Sequence, residues 1–92
     1  MRRIYKYTIT NMRKERAKTN AVTSMPVDRK IIAVGAQDGE VVVWAEVNPG
    51  NRKQTSVEFI ITWTGDCVPD GKYLGTVTID GLVYHVYGGH NE

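Results

Sequence analysis

From Lys30 to Val47 the chain reads K-I-I-A-V-G-A-Q-D-G-E-V-V-V-W-A-E-V, two β-rich runs joined by Asp38-Gly39. A type I′ turn needs positive φ at both central residues, which Asp tolerates and Gly adopts freely. An Asp-Gly pair between such runs therefore predicts a two-residue hairpin. The turn sets the register: Gln37 opposite Glu40, Ala36 opposite Val41, Val34 opposite Val43, Ala33 opposite Trp44 and Ile32 opposite Ala45. With a side-chain period of two, Ile32, Val34, Ala36, Val41, Val43 and Ala45 share one face without a polar group, and that face is predicted core. The other face carries Ile31, Ala33, Gly35, Val42, Trp44 and Glu46. There the Trp44 indole is expected to spread over Ala33 and Gly35, an aromatic covering strand glycine. The competing use of that ring is as an exposed stacking platform.

The same alternation marks the flanking runs. Arg3–Thr10 sets Tyr5, Tyr7 and Ile9 against Ile4, Lys6 and Thr8, a half-buried strand. Asn11–Asn20 is polar and basic, lacks an apolar stripe at helical spacing, and reads as a loop and a candidate contact surface. Ala21–Met25 is a short edge strand stopped by Pro26, which has no ladder donor. Asn48-Pro49-Gly50-Asn51 is a turn, and Thr55–Trp63 then alternates Val57, Phe59, Ile61 and Trp63 with polar positions. That strand is expected to pair with Val41–Val47. After the irregular Thr64–Lys72, Tyr73–Ile79 and Leu82–Tyr87 form a second hairpin about Asp80-Gly81. Its register puts Gly75, Val77, Ile79, Leu82, Tyr84 and Val86 on one face, and Leu74, Thr76, Thr78, Val83, His85 and Tyr87 on the other.

The pattern predicts an all-β protein: a small antiparallel β-barrel or β-roll of five to six strands built from two Asp-Gly hairpins. The 92 residues leave room for a single domain, residues 1–92, with 10–20 as a basic loop and 88–92 as a flexible tail. Apolar residues on both faces of the first hairpin lead us to expect a homo-oligomer.

Composition narrows the function classes. No run of eighteen apolar residues and no hydrophobic N-terminal region is present, so neither a membrane partner nor a cleavable signal is expected. The single Cys67 cannot close an intramolecular disulfide, which fits a reducing cytosol. Charge is lopsided. Arg2, Arg3, Lys6, Arg13, Lys14, Arg16, Lys18, Arg29 and Lys30 face only Glu15 and Asp28 within the first thirty residues, while acids outnumber bases in the remainder. Such asymmetry marks either a solvated basic loop beside an acidic neighbour or a face for phosphate-rich partners, including nucleic acid.

Catalytic chemistry is harder to find. Cys67, His85 and His90 lack metal-ligand spacing, so no metal and no cofactor are expected. A Cys67–His85 nucleophilic pair and an Asp66/Asp70 carboxylate pair are the remaining options. Thr64–Lys72 reads first as turn chemistry, however, and no glycine run forms a phosphate-cradling loop before a helix. The expectation is a protein that is not an enzyme. For a nucleotide-like ligand the candidate residues are Arg13, Arg16, Lys18, Arg29 and Lys30 for phosphate, with Trp44, Trp63 and Tyr87 for stacking.

One ordered set of residues carries a resemblance: Ile4-Tyr5-Lys6-Tyr7, Ser24-Met25-Pro26, Lys30-Ile31-Ile32 with Val34, Gln37 with Gly39, and Trp44-Ala45 with Val47. It continues through Phe59-Ile60, Thr64-Gly65, Tyr73 with Gly75-Thr76-Val77, and Gly81 with Val83-Tyr84-His85-Val86. Over about residues 3–87 the chain resembles a family of small proteins of unknown function found in bacteriophage and prophage genomes. It departs from that pattern at Asn11–Asn20, where a basic insert replaces a shorter, more acidic link. The resemblance implies a phage-encoded accessory protein of the host cytoplasm. In that setting we expect a non-enzymatic binding protein, a host- or defence-modulating inhibitor that binds a host protein or sequesters a nucleotide-like signal. The alternatives are a single-stranded nucleic-acid-binding barrel and a virion structural component.

Overall fold

The computed structural model describes residues 1–15 and 20–91, the last two by backbone alone, and no helix among them is long and apolar enough to cross a membrane. The described residues form seven strands: β1 (Arg3–Asn11), β2 (Asn20–Pro26), β3 (Lys30–Gln37), β4 (Glu40–Val47), β5 (Gln54–Trp63), β6 (Tyr73–Ile79) and β7 (Leu82–Asn91). Every apolar alternating run is a strand, the short run before Pro26 included, so the count exceeds the expected five to six. Both Asp-Gly links turn as expected, with φ of 51° and 79° at Asp38 and Gly39 and the same pair of values at Asp80 and Gly81.

The strands divide into two antiparallel sheets, ordered β1-β4-β3 and β2-β5-β7-β6, and do not close into a barrel. The expected pairing of β5 with β4 does not occur. The two edges of β4 are taken by β1 and β3, and β5 lies between β2 and β7. Long-range partner choice of this kind is invisible to local pattern. The sheets meet face to face, with β3 beside β6 at one margin and β1 beside β2 at the other. Between them lie Val41, Val43, Ala45 and Val47 of β4 and Val57, Phe59 and Ile61 of β5. Val77 and Ile79 of β6 and Tyr84 and Val86 of β7 complete the centre, all at most 5% exposed.

Four bulges adjust this register. In β3 the extra residue is Ile32: Ile31 pairs with Ala45 and packs on the core, and Ile32 is turned out, 43% exposed. The predicted pairing of Ile32 with Ala45 is therefore displaced by one residue, while Ala33–Trp44 and the pairs nearer the turn stand as read; Ala36, expected in the core, is exposed at the sheet's edge strand. Ile9 in β1 and Leu74 in β6 are likewise extra residues, and both serve the core. The fourth bulge is Gly89 in β7. This strand runs on to Asn91, although the alternating pattern stops at Tyr87.

That last extension shapes the molecule. β6 begins at Tyr73, opposite Tyr87, so the end of β7 outruns its neighbour. The gap left beyond β6 brings Gly88 and Gly89 up to the start of β3.

Candidate functional site

The gap is a cleft of about 520 Å³ lined by Val27, Arg29, Lys30, Ile31, Lys72, Leu74, Gly88 and Gly89. Small-molecule sites span about 300–1,000 Å³, so the volume suits a ligand of that class. Two of its lining residues, Gly88 and Gly89, are glycines at positions where a side chain is crowded. A Cβ on Gly89 would stand 2.8 Å from Ile31 Cδ1, and one on Gly88 (φ 113°) would overlap the Glu58 carbonyl oxygen. The Gly88 amide donates to the Lys72 carbonyl at 2.9 Å, which ties the cleft floor to the residue preceding β6.

Three cations surround this space, and they have different roles. Arg29 is a strut: its guanidinium donates to the Gly89 carbonyl at 2.6 Å, to Pro26 at 3.2 Å and to Val27 at 3.5 Å. It thereby clips the end of β7 to the β2–β3 turn. Burial lowers its pKa from the ordinary arginine value, though a guanidinium stays charged. Lys30 and Lys72 are exposed. Lys30 pairs across the strands with Glu46, and Glu46 also meets Arg2 at 3.5 Å; Arg2 reaches Asp28 at 3.9 Å. Among the described residues the cleft lining carries Arg29, Lys30 and Lys72 and no carboxylate, a balance suited to an anionic ligand.

The other residues singled out from the sequence are scattered. Arg13 is not at the cleft. Its Nε and Nη2 donate to the two Asp80 carboxylate oxygens at 3.0 and 3.1 Å, and its stem lies over Gly39, while the Met12 amide donates to the Gly39 carbonyl at 2.9 Å. Arg13 thus staples the tips of the two Asp-Gly hairpins, and Asp80 raises its pKa above the ordinary value. Arg16 and Lys18 lie outside the described residues. Trp44 covers Gly35 on the outer face of the three-stranded sheet, where a Cβ on that glycine would come within 2.9 Å of the ring. Trp63 packs edge-on against Tyr84 at 4.9 Å beside the core. Of the predicted set, the structure brings together Arg29 and Lys30, with Tyr87 one residue from Gly88.

Lys72, Gly88 and Gly89, which line the cleft, were missed. The only hint was a glycine pair directly after a clean alternating strand. Tyr73 and Tyr87 meet edge-to-face at 5.4 Å on the outer face of the four-stranded sheet. Beside them a chain of hydrogen bonds runs from the Tyr73 hydroxyl to Thr76 Oγ1 (2.6 Å), on to His85 Nδ1 (2.9 Å), and from His85 Nε2 to Thr64 Oγ1 (2.9 Å). His85 thus presents its two ring nitrogens to threonines rather than to Cys67, which is exposed on the preceding loop. Asp66 accepts from the Trp63 amide at 2.9 Å and belongs to the turn. Among the described residues no group of three His, Cys, Asp or Glu side chains is placed to hold a metal.

No curated protein and no solved structure matches this chain. A family model does, along residues 1–92. The chain therefore belongs to the family described as the domain of unknown function DUF7352.

Proposed function

We propose that the protein is a non-enzymatic binder of a small, nucleotide-like, phosphate-bearing ligand, which it holds in the cleft between the start of β3 and the end of β7. The observation that supports this reading is the gathering of Lys30 and Lys72 around a cleft whose lining includes Gly88 and Gly89 and whose edges Arg29 ties together. Lysine offers three donors and a compact charge to phosphate oxygens, and glycine lets backbone approach closely. In the phage setting implied by the resemblance, such a protein acts in the host cytoplasm by sequestering a nucleotide signal rather than transforming it.

A thermal-shift panel of inorganic phosphate, pyrophosphate, and linear and cyclic nucleotides tests the proposal. A ligand at about one hundred times its Kd stabilises the native state by about 2.7 kcal/mol. In a domain of this size that raises Tm by roughly 10–20 °C. The expected result is a rise with at least one phosphate-bearing ligand that is lost in the Lys30→Glu, Lys72→Glu double variant. No shift with any compound, or an equal shift in the double variant, overturns the reading.

A further inference from the structure

The described strands leave four sheet edges: β1 and β3 in one sheet, β2 and β6 in the other. An edge strand presents unpaired N–H and C=O groups to any chain able to pair with them, and bulges and charged side chains blunt such edges. Three of the four are blunted in this way. β1 is bulged at Ile9 and carries Arg3 and Lys6, β3 is bulged at Ile32 and carries Lys30, and β6 is bulged at Leu74. β2 has neither device. Its register against β5 runs unbroken from Asn20–Ile60 to Pro26–Gln54, and its seven residues carry no charge.

The free side of β2 is a template about 20 Å long. Among the described residues no strand pairs with it; β1 lies beside it at the margin but belongs to the other sheet. Alternate N–H and C=O groups between Asn20 and Met25 point away from β5, and only Pro26, at the far end, lacks a donor. Next to this row Val22 lies on the outer face of the sheet, across from Glu58 and 58% exposed. A cross-strand neighbour on an added strand would cover it.

Charge selects the partner. The Val27 amide donates to the Lys53 carbonyl at 3.0 Å, which sets Lys53 and the preceding Arg52, both exposed, at the Pro26 end of the edge. Asp28, the nearest carboxylate in the sequence, already faces Arg2 at 3.9 Å. A second copy laid antiparallel would turn this basic end toward the chain entering β2, whose sequence is itself basic.

We infer that β2 is a docking edge for an extended segment of another protein, one that alternates β-branched and polar residues and is acidic at the end beside Pro26. The segment adds a fifth strand to the four-stranded sheet. Backbone hydrogen bonds supply the affinity, and Val22 with the Arg52–Lys53 pair supplies the selectivity. This edge acts independently of the cleft ligand.

The probe is a synthetic peptide of alternating threonine and valine with Asp-Glu at each end, titrated into the isotope-labelled protein. Amide shifts and slowed hydrogen exchange are expected at alternate residues of Asn20–Met25. N-methylation of one alternate set of peptide amides abolishes binding and that of the other set leaves it unchanged, because an added strand uses only one of its edges. Lysine in place of the flanking carboxylates, or the Arg52→Glu, Lys53→Glu double variant with the acidic peptide, weakens binding by about 1.5- to 5-fold for each ion pair lost. No binding, an equal effect of the two N-methyl patterns, or shifts centred on another strand overturns the docking edge. Equal affinity for acidic and lysine-flanked peptides overturns the acidic partner. A concentration-dependent dimer that protects the same alternate amides also overturns it, since the edge then belongs to a second copy.

Discussion

Gly88 and Gly65 give a matched pair for measuring how tightly the end of β7 is seated. Both have positive φ, 113° and 100°, a region that side-chain-bearing residues rarely adopt. They differ in space: a Cβ at Gly65 meets nothing within 4 Å, whereas one at Gly88 overlaps the Glu58 carbonyl oxygen and lies 3.1 Å from Phe59 Cα. Gly65→Ala therefore costs only the backbone strain, about 1–3 kcal/mol. Gly88→Ala costs the same strain and must also part the β5 and β7 backbones at the Phe59–Gly88 pair, adding roughly 1–3 kcal/mol of overpacking. The lost chain entropy of glycine is common to both variants and cancels in the comparison. Equilibrium urea unfolding followed by tryptophan fluorescence reads the difference, with Gly88→Ala expected to lose about twice as much stability as Gly65→Ala. If Gly88→Ala unfolds at the same urea concentration as Gly65→Ala, or higher, the backbone contact that forms the cleft wall is refuted.

Three further outcomes follow from the packing. Gly35→Ala sets a methyl 2.9 Å from Trp44 Cζ3, so the indole must lift; the expected result is a red-shifted emission and about 1–3 kcal/mol lost in the same urea assay. Arg13→Ala frees the hairpin tips, so amide exchange at Met12 is expected to accelerate while affinity for cleft ligands stays unchanged. The Tyr7 phenol is raised above the ordinary tyrosine value by burial and then by neighbouring Tyr5, so the folded state keeps its proton longer than the unfolded chain. The stability involved is whole below about pH 10 and is lost as pH climbs through the raised value. Denaturation midpoints measured between about pH 9 and 11 are expected to fall less steeply for Tyr7→Phe than for the wild type.

The fold was legible where local chemistry decides it. Asp38-Gly39 and Asp80-Gly81 require one turn type, and with the turn the facing residues follow, down to Trp44 over Gly35. Pro26 ended an edge strand as its missing donor demands. What remained hidden depends on partners far along the chain. Nothing in Thr55–Trp63 says that β7 rather than β4 will take its edge, because both offer the same apolar alternation. The bulges at Ile32 and Leu74 interrupt the two hairpins and that at Gly89 the β5–β7 pair, and no dipeptide announces them. The cleft shares this character. Arg29 and Lys30 were singled out by the charge run in the first third of the chain, but Lys72 and Gly88 join them only because β7 outruns β6. Arg13 belonged to the same charge run and turned out to be a staple, since Asp80 sits within its reach.

Backbone amide shifts recorded while pyrophosphate and a nucleoside diphosphate are titrated into the protein test the cleft most directly. We predict saturable shifts at Lys30, Ile31, Lys72, Gly88 and Gly89 with both ligands. Shifts centred instead on the Arg13–Asp80 staple, or on the Trp44 face, would contradict the account.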